Sequence, residues 1–225
     1  MGLNRLSASM RILVTGTPGV GKTTLAKRFL ELHPDYRYVN VSDLVHSSGL
    51  IESYDEVFNS VVPDEERLLD TLEVLIQRNK NILVDHHSCE RFPIRWFDIV
   101  VLLRLGTEEL YDRLVLRGYS SKKILENIEA EIMGVAEDAV ADFDQRRVIT
   151  FTHKTEDDMR HVLARIEERL HQTPRSVRLK GSKTRLCVCR PQRCYAWTWH
   201  GSISSFCKAY RNSLRFRSSG GERKK

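Results

Sequence analysis

The stretch GTPGVGKTT at residues 16–24 limits what this chain can become more than any other part of it. It contains G-x-x-x-x-G-K-[ST] through Gly16, Gly21, Lys22 and Thr23. The apolar run MRILVT precedes it, and KTTLAKRFLEL, with apolar residues at helical spacing, follows. Strand, glycine-rich turn and helix in that order converge backbone N–H groups and a helix N-terminus on one point, which makes a seat for phosphate. The Lys22 ammonium suits the β- and γ-phosphates of a nucleoside triphosphate, and the Thr23 hydroxyl suits Mg²⁺.

The rest of the chain repeats the strand–helix alternation. Residues 37–41 (RYVNV), 81–87 (NILVDHH), 98–105 (DIVVLLRL) and 148–152 (VITFT) read as further strands. Between them lie helical patterns: PDEERLLDTLEVLIQ, opened by Pro63 and acids, and TEELYDRLVLRG, capped by Thr107 and stopped near Gly118. One long amphipathic helix is expected over residues 121–145 and a last one from a Thr155 cap to residue 170. Nearly all-apolar strands alternating with helices predict an α/β fold, a five-stranded parallel sheet covered on both faces in three layers.

A triphosphate loop needs an acid at a neighbouring strand end. NILVD supplies Asp85, a candidate Mg²⁺ ligand with Thr23. His87, two residues on, is expected on the same side of the strand, where it could position a water or a hydroxyl. The N-K-x-D base-reading motif of GTPases is absent. Phosphoryl transfer needs positive charge around the γ-phosphoryl, and YDRLVLRGYSSKK supplies Arg113, Arg117, Lys122 and Lys123, with Gly118 as a hinge. This segment reads as a lid that closes over ATP.

Charge divides the chain in two. Of its 36 basic and 30 acidic residues, 14 basic and one acidic residue (Glu222) fall in residues 173–225, leaving 22 basic and 29 acidic before them. An acidic body, residues 10–172, therefore precedes a basic tail whose composition reads as linker or disorder and suits contact with RNA or another anion. RCYAWTWH in the tail adds aromatics that could stack on bases. CVCRPQRC lacks the paired spacing of a zinc knuckle. The body's single cysteine, Cys89, fits a reducing compartment. No window is apolar enough to span a membrane. The start, MGLNRLSASMR, has neither a secretory apolar core nor the myristoylation pattern, with Leu6 where Ser or Thr is required.

Taken together, TGTPGVGKTTL, YVNVSDL, VDHHSCERFPIRWFDIVVLLR, LYDRLVLRGYSSKKILENI and EAEI resemble the adenylate kinase isoenzyme 6 family over about residues 10–170. These are nuclear adenylate kinases that also act as ATPases in small-ribosomal-subunit maturation. The resemblance implies a P-loop nucleoside monophosphate kinase fold with a monophosphate-binding segment near residues 40–63 and a lid near residues 116–126. It implies transfer from ATP, with Mg²⁺, to AMP. By the same resemblance Gly19, Gly21, Lys22, Thr23 and Thr24 cradle the triphosphate, Arg117 covers it, and Lys154 contacts adenine. Asp85 and His87 match a D-x-H motif tied to Mg²⁺ and hydrolysis. A small-subunit ribosomal protein and the pre-ribosomal particle are the implied partners, 18S rRNA processing the implied role, nucleus and cytoplasm the implied location. Two departures stand out. His46 replaces the family's basic residue after the DL dipeptide, so the grip on the AMP phosphate is expected to be weaker, with Arg95 of FPIRW as a second contact. Residues 173–225 match no family counterpart. Two other readings stay open: chiefly an ATPase assembly factor, or a P-loop kinase for another small acceptor.

Overall fold

A computed structural model of the chain describes residues 10–56, 60–153 and 156–172. In chain order the elements are β1 (Arg11–Thr15), α1 (Lys22–Leu32), β2 (Arg37–Asn40), α2 (Val41–Ser47), β3 (Ile51–Asp55) and β4 (Ser60–Pro63). There follow α3 (Glu65–Arg78), β5 (Ile82–Asp85), a 3-10 turn at Ile94–Trp96, β6 (Ile99–Leu105), α4 (Thr107–Leu116) and α5 (Ser121–Met133). The last are α6 (Val135–Ala139), β7 (Val148–His153) and α7 (Glu156–Gln172).

Strand alternation makes the layers. Successive strand side chains point to opposite faces, so Ile12 and Val14 of β1, Leu83 of β5 and Ile99, Val101 and Leu103 of β6 enter one core. Leu13, Ile82, Val84, Val100 and Leu102 enter the other. The first core is closed by apolar positions of α1, α4, α5 and α7, including Phe29, Leu110, Leu114 and Ile166. The second is closed by α2 and α3, through Val45, Leu68, Leu72 and Ile76, and by Trp96, Phe97 and Phe143. Each fully buried Leu, Ile or Val stabilises the fold by roughly 1.5–3 kcal/mol relative to exposure.

The five-stranded parallel sheet expected from the sequence is present, in the order β2-β5-β1-β6-β7. The chain leaves β1 towards β2, returns β5 to the place beside β1, and then proceeds on the other side through β6 and β7. The reversal point is the C-terminal end of β1, the position where open α/β sheets leave a crevice for ligands. Residues 16–24 begin there.

Local chemistry sets most boundaries. The Asp64 side chain accepts the Arg67 N–H at 3.1 Å and caps α3, with Glu65 and Glu66 in the first turn. The Ser120 hydroxyl accepts the Lys123 N–H at 3.3 Å and caps α5.

Four expectations change. The helix over residues 121–145 is two helices, because Gly134 takes a left-handed φ of 71° that ends α5. Gly106, not Thr107, is the N-cap of α4, and Thr107 is its first residue. The strand expected at 81–87 stops at Asp85, although the His86 N–H still donates to the Val14 carbonyl at 3.1 Å. The segment near residues 40–63 contains α2 and an antiparallel pair, β3 with β4, that the sequence reading left without internal structure. Thr155 and residues 173–225, with the tail's cysteines and aromatics, lie outside the described residues. Among the described residues no helix is long and apolar enough to cross a membrane.

Candidate active site

Glycine geometry forces the loop close to the sheet. Gly16 has φ 139°, and a Cβ there would sit 2.3 Å from the Leu103 carbonyl oxygen of β6. Gly19 has φ 102°, and a Cβ there would sit 2.7 Å from Leu110 Cδ1 of α4. The loop thus nests between β6 and α4 with no room for a side chain at Gly16 or Gly19. Gly16→Ala is expected to lower unfolding free energy by roughly 3 kcal/mol, since it meets fixed backbone as well as a disfavoured φ. Urea denaturation of both proteins measures it.

The Lys22 ammonium donates to the carbonyls of Gly16 at 2.7 Å and Thr17 at 3.0 Å. It is partly accessible, yet the surrounding loop desolvates it. That burial, opposed by Asp85, aided by Arg117 and opposed by Glu131, lowers its pKa to about 8. Arg117 is the exposed C-cap of α4, the helix whose Leu114 packs against Gly19, and its charge contributes to lowering the Lys22 pKa.

Asp85 ends β5, only 3% exposed, and its Oδ2 gathers three donors. The Thr23 hydroxyl donates at 2.7 Å, the Tyr38 hydroxyl at 3.0 Å and the Asn40 amide at 3.3 Å. Burial raises the Tyr38 phenol to about 12, a shift opposed by the Asn40 hydrogen bond and reinforced by Asp85. A hydroxyl and a carboxylate 2.7 Å apart at the first turn of α1 form a hard-oxygen donor set. Mg²⁺ binds through one or two such ligands, substrate phosphates and waters. Among the described residues no group of three or more His, Cys, Asp or Glu is placed to hold a metal ion by itself.

His87 lies beyond the strand end and reaches the surface. Desolvation by its surroundings, then the charges of Lys22 and Lys123, lower its pKa to about 4, so it is neutral at pH 7. His86, stacked on Phe92 with ring centroids 5.6 Å apart, is likewise pushed well below an ordinary imidazole by burial.

The structure therefore brings Lys22, Thr23, Asp85, His87 and Arg117 to one end of the sheet, with Gly19 and Gly21 in the loop and Thr24 exposed on α1. Two residues stand apart from this cluster. His46 is exposed in the last turn of α2. Arg95 faces Glu73 of α3, with a closest approach of 3.7 Å, in an exposed pair. Lys154 lies outside the described residues.

Sequence reasoning missed Tyr38, Asn40 and Glu131 as contacts. Tyr38 and Asn40 share a face of β2 by simple alternation, but only the pairing of β2 with β5 turns that face towards Asp85. For Glu131 a signal existed: it occupies a buried position of α5, beside Ala130 and in helical register with Ile124 and Asn127.

The AAA domain family matches residues 12–134. The chain is 43% identical over 156 residues to the adenylate kinase isoenzyme 6 homolog FAP7 of Saccharomyces cerevisiae, covering 69% of this chain and 79% of that protein. It is 43% identical over 159 residues to the adenylate kinase isoenzyme 6 homolog of Caenorhabditis elegans, covering 70% and 87%. Among solved structures its fold is similar to that of a shikimate kinase from Bacteroides thetaiotaomicron, with TM-score 0.50 and 18% identity over 72% of this chain and 98% of the other. At that identity the likeness is one of fold alone.

Proposed function

Because the chain belongs to the adenylate kinase isoenzyme 6 family, we propose that it transfers the γ-phosphoryl group of MgATP to AMP, yielding two ADP. The observation that carries this reading is the Thr23–Asp85 pair, 2.7 Å apart, next to the Lys22 loop. In the reaction the bond from the γ-phosphorus to the β,γ-bridging oxygen breaks, and a bond to an AMP phosphate oxygen forms. The acceptor oxygen is already anionic, so no general base is needed. Loop N–H groups and Lys22 hold the β- and γ-phosphates as charge redistributes. Arg117 adds positive charge from the α4 side. Asp85, held by Tyr38 and Asn40, and Thr23 would hold Mg²⁺, which when bound would neutralise charge on the β- and γ-oxygens.

A second reading is carried by His87. It lies exposed two residues past Asp85, at the end of β5, from where its imidazole is suited to orient a water that replaces AMP as acceptor. The same site would then hydrolyse ATP, and the motif resemblance extends that ATPase to 18S rRNA maturation with a small-subunit ribosomal protein. Accumulation of an 18S precursor in depleted cells, relieved by the wild-type chain, tests that extension.

Acceptor choice is tested with labelled ATP, Mg²⁺ and each nucleoside monophosphate in turn or none. Label appearing in ADP with AMP supports the kinase, and phosphate released without acceptor supports hydrolysis. Transfer to no nucleotide overturns the first reading. In the same assay His46→Arg is expected to lower the AMP KM about tenfold, the worth of one charge-assisted hydrogen bond to phosphate.

A further inference from the structure

Glu131 is a carboxylate in the last turn of α5, where helix carbonyls disfavour negative charge. It is also only 3% exposed. A group so costly to bury must be held from several sides. Its Oε1 accepts from Arg104 Nε at 3.1 Å and from the Leu105 N–H at 3.3 Å. Its own backbone carbonyl accepts from Arg104 Nη2 at 2.8 Å, and Arg104 Nη1 reaches Glu137 Oε1 at 2.5 Å. These contacts satisfy the charge and the helix end. They leave Oε2 for another donor, and that donor is the Thr17 hydroxyl at 2.5 Å, buried inside the glycine loop.

Thr17 is thus gripped at both ends: its side chain by Glu131, its carbonyl by Lys22 at 3.0 Å. The helix that delivers Glu131 starts at Ser121, directly after the Arg117–Ser120 connection, and Lys123 in its first turn is among the charges felt by His87. A single rigid element of 13 residues therefore joins the lid segment to the floor of the loop.

We propose that Glu131 is a positioning residue, which fixes the triphosphate-binding conformation of residues 16–24 through Thr17 and couples that loop to the lid helix. The proposal rests on residues 16–24 being the triphosphate cradle, but not on the identity of the acceptor. Loss of the Thr17 hydroxyl frees the loop while leaving the Arg104–Glu131 pair in place. Loss of the carboxylate leaves the Thr17 hydroxyl without its acceptor, while Arg104 keeps Glu137 and the backbone carbonyl of residue 131.

The test measures the dissociation constant of a fluorescent ATP analogue with Mg²⁺ on the full chain, alongside thermal melting. Thr17→Val is expected to raise it about tenfold and Glu131→Leu, which has neither donor nor acceptor, by a similar factor, with the double variant no weaker than the worse single one, because both remove the same link. Thr17→Ser should restore wild-type binding. Should Glu131→Leu fail to fold, the Thr17→Val and Thr17→Ser pair decides alone. Unchanged binding with a lowered melting temperature, or independent multiplicative effects, would make Glu131 a structural ion-pair partner and overturn the proposal. Wild-type protein that binds the analogue but moves no phosphoryl group to AMP would sink the acceptor reading and leave this one standing.

Discussion

Lys22→Ala will lower kcat/KM for phosphoryl transfer by about 10³-fold, in the range found when one preorganised charge or donor is removed from a reacting centre. The effect should fall on turnover and ATP binding with little loss of fold, because the hydrogen bonds of Lys22 among the described residues go to loop carbonyls. The same residue imposes a pH dependence. Its pKa is lowered to about 8 in the free protein, chiefly by desolvation. A bound triphosphate favours the ammonium, so above that pKa binding must take up a proton. The dissociation constant for MgATP is expected to be flat from pH 7 to 8. Above pH 8 it should weaken towards tenfold per unit, and Lys22→Ala should lose that slope. Stability carries the opposite sign. Between about 8 and the ordinary lysine value of 10.5 the unfolded chain holds a proton that the folded one lacks. Stability relative to Lys22→Ala therefore rises with pH across that window. Calorimetry in two buffers of different ionisation enthalpy reads the proton uptake directly, and equal heats in both at pH 9 would refute it.

Asp85→Asn should separate chemistry from folding. The carboxylate is 3% exposed, and all three of its hydrogen-bond donors are neutral. Replacing it with an amide of the same shape removes a buried charge and keeps one carbonyl acceptor. The melting temperature without nucleotide is expected to change by a few degrees at most, because relief of the buried charge offsets the lost attraction to Lys22. Turnover is expected to fall about 10²–10³-fold, because an amide oxygen is a poorer Mg²⁺ ligand and the charge balance at the phosphates is lost. Raising Mg²⁺ should recover part of the loss. A melting temperature that drops in step with activity would instead make Asp85 a structural residue.

Particular residues show how far sequence reasoning reaches. The loop at 16–24, the strand before it and the helix beginning at Lys22 were legible because each depends on neighbours a few positions away. Asp85 was legible for the same reason, as the first polar residue after a buried run. The break at Gly134 was written in the sequence but overridden by the amphipathic pattern on both sides of it. One left-handed glycine outweighs that periodicity because it ends the i→i−4 ladder and lets α6 turn away, bringing Glu137 within reach of Arg104. The β3–β4 pair was missed because its residues are exposed or half-buried, so no buried face imposes a strong alternation.

What the sequence determined alone is the chemistry of the loop: its glycines, its lysine and its threonine, each required by short-range geometry. What only the tertiary structure decided is who stands around that loop. Strand order places β5 between β1 and β2, so that Tyr38, Asn40 and Thr23 converge on Asp85 across 45 to 62 residues of chain. Helix packing sends Glu131 back to Thr17 across 114 residues. Such contacts depend on which hydrophobic faces pair in three dimensions, and a local pattern carries no record of that choice.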